Sequence, residues 1–149
     1  MTTLKEAICE PTKRPQVVRD TTRLVEDEVS SKSGLSGLAI KAGFKTVSAV
    51  KPGLVAEVVD SLLERFVDKM EPFYKEWVAG GKKGGFDALL LSKKSQVANA
   101  LLGVTDDRAR QVSNQTLKKT YQALRPQGEK HVEAAVPGLA RMIVRHIPA

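Results

Sequence analysis

Apolar residues recur three or four positions apart along almost the whole chain, and this spacing limits the possible folds more than any other feature. Such a repeat places side chains on one face of an α-helix, whereas a half-buried strand needs strict alternation, which no segment shows convincingly. The widest stripe includes Val55, Val59, Leu62, Phe66 and Met70. The sequence therefore predicts an all-α fold, a single irregular helical bundle, with this apolar helix at its centre.

Prolines and glycines divide the pattern into about seven helices, because proline fits the first turn of a helix and glycine tolerates the conformation that ends one. The first half is predicted to hold helices over residues 4–10, 15–32, 36–50 and 52–70, and a short one from Pro72. That short helix carries Phe73, Tyr74 and Trp77. Together with Phe66, these aromatic residues are interpreted as part of the core.

Helix boundaries in the second half are less distinct. After the apolar residues 86–91, the polar residues 92–95 allow either one long helix or a new helix over 96–102 capped by Ser95. Gly103 is predicted to end that helix, and Thr105 to cap the next one, which runs to Leu124. The last helix, over 129–147, is predicted to kink or break at Pro137.

The excess positive charge lies in the second half of the chain. Residues 1–79 contain 12 basic and 12 acidic residues, whereas residues 80–149 contain 12 basic and 5 acidic ones, which accounts for the net charge of +7. Between the near-neutral half (1–79) and the basic half (86–149), the Gly/Lys segment 80–85 is predicted to be a flexible linker. The two halves are expected to share one core, giving a single domain over 1–149, because each alone is small.

No arrangement of residues typical of catalysis or of a metal site is found. Gly80 and Gly85 have the spacing of a phosphate-binding loop, but Phe86 stands where that motif needs lysine. The two histidines are fifteen residues apart, and Cys9 is the single cysteine, so neither a metal-ligand cluster nor an internal disulfide is predicted. We therefore expect no catalytic residues, no bound metal or cofactor, and no enzymatic activity.

The sequence indicates a cytoplasmic protein. No apolar stretch approaches the ~20 residues that a membrane-spanning helix needs. The first residues lack the apolar core of a signal peptide. A single cysteine also fits a reducing compartment.

The basic half contains the strongest functional pattern. In the predicted helix over 105–124, basic and amide side chains recur at steps of three and four on the face opposite the apolar one, and such side chains contact phosphates and base edges. Lysine pairs add to them. The candidate nucleic-acid-binding residues are Lys82, Lys83, Lys93, Lys94, Arg108, Gln111, Gln115, Lys118, Lys119 and Gln122.

The segment from Ser95 to Lys119 loosely resembles a helix-turn-helix. Residues 96–105 are similar to the first helix and turn of bacterial repressors, and the next helix would then contact the bases. However, Asn99 stands four residues before the turn glycine, where repressors usually have a small residue. The alternative is a simple turn between two antiparallel helices.

Two functional hypotheses remain open. One is a non-enzymatic module that binds DNA, RNA or another polyanion through the basic half. The other is a protein-interaction or scaffolding domain, which would bind a protein partner or self-associate through exposed apolar patches, such as one near Trp77. A small-molecule or lipid carrier is a third option and would need an internal apolar cavity.

Three segments carry a family resemblance: residues 29–41, the turn Val50-Lys51-Pro52-Gly53, and Glu71-Pro72-Phe73-Tyr74. They resemble an uncharacterised family of small bacterial helical proteins, classified as a domain of unknown function. The resemblance covers most of the chain. It implies a bacterial source and an all-helical fold, and it assigns no activity and no site residues.

Overall fold

The computed structural model describes residues 3–148 and is all-helical over that range, which confirms the predicted fold class. Eight α-helices and one short 3-10 helix succeed one another along the described chain. They are α1 (Leu4–Ile8), α2 (Arg14–Ser31), α3 (Gly34–Val50), α4 (Leu54–Ala79), α5 (Phe86–Ser92), α6 (Lys94–Gln111), α7 (Gln115–Leu124), the 3-10 helix (Arg125–Gln127) and α8 (Gly128–Val144).

The longest helix, α4, packs against α1, α2, α3, α5 and α6. Its buried stripe consists of Val59, Leu62, Leu63, Val67, Met70, Tyr74 and Trp77. Leu90 of α5, Val97 of α6 and Val136 of α8 are completely buried in the same core cluster. The core therefore combines residues that precede and follow the segment 80–85.

Pro72 does not start a new helix, in contrast to the prediction from sequence. It lies inside α4, which continues through it to Ala79. Proline in a helix interior costs about 3 kcal/mol because it removes a backbone hydrogen bond and crowds the preceding turn. Met70, Tyr74 and Trp77 lie on both sides of Pro72 and are all buried. A break would remove part of this stripe from the core, and that loss explains why the helix stays continuous.

The segment 80–85 is a turn that contacts the end of α4. The Lys82 backbone N–H donates to the carbonyl oxygen of Trp77 at 2.9 Å, and Trp77 Nε1 donates to the carbonyl oxygen of Gly84 at 3.1 Å. The Lys82 ammonium lies 5.4 Å from the centre of the Trp77 ring. Phe86, directly after the turn, packs against Trp77 with ring centroids 5.5 Å apart.

The helices of the second half differ from the prediction. Gly103 does not end a helix and Thr105 does not cap one, since both lie inside the continuous α6. The interruption comes instead at residues 112–114, before α7. The resemblance of residues 96–105 to a repressor helix and turn is therefore wrong, because no turn exists at Gly103.

Pro137 likewise lies inside α8 without ending it. Val136 and Ala140 beside it are completely buried, and Gly138 lies close to Leu24 of α2. A Cβ atom at position 138 would be 2.7 Å from Leu24 Cδ1, so the absence of a side chain allows α2 and α8 to approach each other.

Candidate polyanion-binding surface on α6 and α7

The structure separates the ten predicted binding residues into two groups at opposite ends of α6. Lys82, Lys83, Lys93 and Lys94 lie in the α4–α5 turn and around the start of α6. The remaining six, from Arg108 onward, lie at the end of α6 and on α7. From Lys94 to Arg108 the helix rises by roughly 21 Å. The ten residues therefore do not form one compact site.

The positive charge of the first group is partly compensated by neighbouring side chains. Lys93 lies 3.5 Å from the carboxylate of Glu76 on α4. Lys82 covers the Trp77 ring. These two lysines contribute to local packing, which leaves Lys83 and Lys94 as the exposed cations of this group that make no ion pair with any residue between 3 and 148.

The second group depends on the turn at residues 112–114, which lies beyond the turn predicted at Gly103. The Asn114 side chain accepts a hydrogen bond from the backbone N–H of Leu117 at 3.1 Å and so caps α7. Asparagine suits this position because its side chain satisfies a helix N-terminal donor, whereas it disfavours helix interiors. Ser113-Asn114 is the sequence signal that could have located the break.

Within α7, the two faces differ in chemistry. Leu117, Tyr121 and Leu124 are half-buried, and Leu124 packs against Gly43 of α3. The opposite face carries Gln115, Lys118, Lys119 and Gln122 at helical steps of three and four. Arg108 and Gln111 are exposed on the last turns of α6. We call these six residues the α6–α7 surface.

A hydrogen-bonded cluster attaches α7 to α6. Arg125 donates from Nε and Nη2 to the two carboxylate oxygens of Asp106, at 2.8 and 3.1 Å. The Tyr121 hydroxyl donates to Asp106 Oδ1 at 2.5 Å and lies 2.8 Å from Thr105 Oγ1. The sequence pattern does not reveal this cluster, because it predicts a single helix over residues 105–124.

Two pKa values in the cluster are displaced. The guanidinium of Arg125 holds the pKa of Asp106 below its ordinary value. Burial, assisted by the hydrogen bond to the ionised Asp106, raises the pKa of Tyr121 to about 12. At neutral pH the cluster is therefore an ionised carboxylate that accepts from a neutral phenol and a charged guanidinium.

A shallow cleft of about 200 Å³ lies beside this cluster. Lys118, Gln122 and Arg110 line it together with Asp106, Ala109, Tyr121 and Arg125. Its lining thus contains three cations and one carboxylate. A larger cleft of about 560 Å³ along α2 is lined by two arginines and two carboxylates, so its lining has no excess of positive charge.

Both carboxylates near the α6–α7 surface are already paired. Asp106 binds Arg125, and Asp107 contacts Arg110 one turn further along α6. Arg108, Lys118 and Lys119 make no ion pair within the part of the chain that the structure describes. Their charge is therefore available to an external anion.

The cysteine and the two histidines, whose side chains could serve in catalysis or metal binding, have different neighbours in the structure. Burial raises the pKa of the Cys9 thiol. His146 Nε2 lies 2.7 Å from Asp20, whereas His131 is on the first turns of α8 and burial lowers its pKa. Nowhere between residues 3 and 148 do three or more His, Cys, Asp or Glu side chains come close enough to hold a metal ion. In the same range, no helix has the length and apolar content required to cross a bilayer.

Comparison with protein families finds a match that covers almost all of the chain. The profile of the family of unknown function DUF6918 matches residues 4–147. The chain belongs to this family. The match includes every helix described above and confirms the resemblance to a domain of unknown function. No curated protein and no solved structure gives a significant match.

Proposed function

We propose that this member of DUF6918 is a non-enzymatic binding module that engages a nucleic acid through the α6–α7 surface. The observation that carries the proposal is the outward face of α7, which holds two lysines and two glutamines and no carboxylate. Lysine supplies phosphate contacts, and glutamine can bond to base edges or to phosphates.

The arrangement of the two helices supports the same proposal. α6 and α7 are joined by three residues, and α7 is the second helix of the pair. A helix of ten residues is about 15 Å long and can lie in a major groove, which is about 12 Å wide. The Asp106–Arg125–Tyr121 cluster restrains α7 relative to α6, so that its polar face is presented without a large ordering cost on binding.

Charge supports a polyanion rather than a single small anion. The unpaired cations Arg108, Lys118 and Lys119 belong to two helices, Arg108 to α6 and the two lysines to α7, and several separate cations suit a row of phosphates. Lys83 and Lys94, at the other end of α6, would add contacts only for a ligand long enough to span roughly 20 Å.

The test is fluorescence anisotropy of labelled duplex DNA and of single-stranded RNA across a salt series. We expect log K to fall with log salt, by about 0.9 for each phosphate engaged on duplex DNA. Lys118→Glu/Lys119→Glu should weaken binding at least tenfold and reduce the salt slope by about 2.

The matched control is Lys69→Glu/Lys75→Glu, which changes the net charge by the same amount on the exposed side of α4. It should reduce affinity much less. Equal losses in both variants would show that only net charge matters and would contradict the proposal. Absence of binding even at low salt would favour the alternative, a protein-interaction or scaffolding domain.

A further inference from the structure

Helix α3 presents an apolar face to solvent that no part of residues 3–148 covers. Leu35 is 89% exposed and Leu38 is 63% exposed, the two highest values among the large apolar side chains of the described chain. Ala42 and Ala49 continue the same face at helical spacing and are also exposed. Single exposed leucines are common on protein surfaces, but two adjacent ones on an apolar helix face indicate a contact surface.

The other side of α3 accounts for its packing in the fold. Gly37 and Gly43 are buried, and Ile40, Phe44 and Val47 on the same helix are half-buried. A Cβ atom at position 43 would be 2.5 Å from Leu124 Cδ1, so α7 packs closely on this side. The exposed leucines therefore have no role in the packing of α3.

Charge identifies the kind of partner. α3 contains no Asp or Glu, and Lys41 and Lys45 are exposed on one flank of the apolar face without an ion pair in the described chain. The lysines that flank the helix, Lys32 and Lys51, are paired with Glu28 and Glu57. A second copy of the chain would bring the same unpaired lysines together, so an anionic partner fits better.

The exposure of the two leucine side chains outside any described cleft favours a deformable partner. Leu35 and Leu38 line neither of the two clefts described above, and Leu35 is almost completely free of contacts within the protein. We infer that the exposed face of α3 docks on an anionic lipid surface. Leu35 and Leu38 enter the acyl boundary of the bilayer, and Lys41 and Lys45 lie at the level of the phosphate groups.

The experiment is co-sedimentation of the full chain with vesicles at physiological salt. Vesicles of phosphatidylcholine alone are compared with vesicles that contain about one third phosphatidylglycerol, whose anionic surface attracts juxtaposed lysines. We expect binding to the anionic vesicles only. Leu35→Ser/Leu38→Ser should weaken it at least tenfold, because two apolar side chains would no longer be buried in lipid.

Two control variants test whether vesicle binding belongs to the exposed face of α3. Leu91→Ser removes an exposed apolar side chain on α5 and should leave vesicle binding unchanged. Lys118→Glu/Lys119→Glu should retain most vesicle binding while it loses nucleic-acid binding, so the two proposals fail independently. Circular dichroism confirms that each variant is folded.

Three results would overturn the inference. The first is that the wild type sediments equally with both kinds of vesicle, or that it sediments with neither kind. The second is unchanged binding by Leu35→Ser/Leu38→Ser. The third is a dimer in light scattering that the same double substitution dissociates, which would assign the face to a second copy of the chain.

Discussion

At the scale of the residue, Asp106 has the densest set of polar contacts near the proposed surface. Its two carboxylate oxygens accept from Arg125, and one of them also accepts from the Tyr121 hydroxyl. Hydrogen bonds to an ionised group are stronger than neutral ones, and this set joins α6 to the end of α7. By contrast, among residues 3–148 the neighbouring Asp107 makes an ion pair only with Arg110 on its own helix, and both of their side chains are largely exposed.

Asp106→Ala should therefore destabilise the protein by about 1–2 kcal/mol, a value reduced from that of a fully buried charged hydrogen bond because the site is partly solvated. Urea unfolding followed by circular dichroism measures the change. Asp107→Ala is the control and should change the free energy of unfolding by less than about 0.5 kcal/mol. Equal effects of the two substitutions would mean that the cluster does not stabilise the fold.

The same site has a defined dependence on pH. The pKa of Asp106 is lower in the folded protein than in the unfolded chain, where it is about 3.9. Its stabilisation is thus fully present above the unfolded pKa and is lost as the pH falls through the folded pKa. The difference in stability between the wild type and Asp106→Ala should be constant from pH 7 to about 5 and decrease below about 4.

At the scale of the element, the point where α6 ends decides which side chains form the candidate surface. α6 passes through Gly103 and ends before the Asn114 cap of α7. Gln115, Lys118 and Gln122 therefore belong to a separate helix from Arg108 and Gln111. Position 103 tests this arrangement directly, since a Cβ atom added to the glycine there would meet open space.

Gly103→Ala should stabilise the protein by about 0.5–1 kcal/mol, because alanine is the better helix former and its Cβ atom meets no neighbour. Gly37→Ala is the contrast. Its Cβ atom would lie 2.8 Å from the backbone carbon of Lys32, so the substitution should destabilise. Thermal melts of both variants are the measurement. Destabilisation by Gly103→Ala would indicate a turn at that position instead of a helix.

At the scale of the whole molecule, the aromatic cluster connects residues on both sides of the segment 80–85. Trp77 and Tyr74 of α4 contact Phe86 of α5, with ring centroids 5.5 and 5.4 Å from that of Phe86. Phe86 is 1% exposed, and Val136 of α8 belongs to the same core cluster. A shared core of this kind couples the unfolding of its helices.

We therefore expect a single cooperative unfolding transition. Trp77 is the only tryptophan, so its fluorescence reports on this contact while far-UV circular dichroism reports on all helices. The two denaturation curves should coincide. Phe86→Ala should lower both midpoints together and should reduce the free energy of unfolding by about 3–5 kcal/mol. Two separated transitions would instead indicate that the halves unfold independently.

The apolar spacing was sufficient to predict the fold class and the position of most helices. Helix formation depends on local propensity and on a repeat that any segment displays by itself. Accordingly, α2 and α3 begin and end within two residues of the positions predicted, and α4 begins within two residues of its predicted start. The predicted breaks at Pro72 and Gly103 were wrong, and of the two alternatives at Pro137, a kink or a break, the break was wrong; the three breaks fail for a common reason. Local signals favour a break at each position, whereas burial of residues on both sides keeps the helix continuous.

The candidate site was predictable only in its composition. The sequence by itself determined that the second half is basic and that lysines and glutamines recur at helical steps, because charge and spacing are properties of the chain. The tertiary structure decided that these residues form two groups, that Asp106 pairs with Arg125, and that Leu35 and Leu38 remain exposed. Those outcomes depend on which helices pack together, and packing joins residues that are distant in sequence.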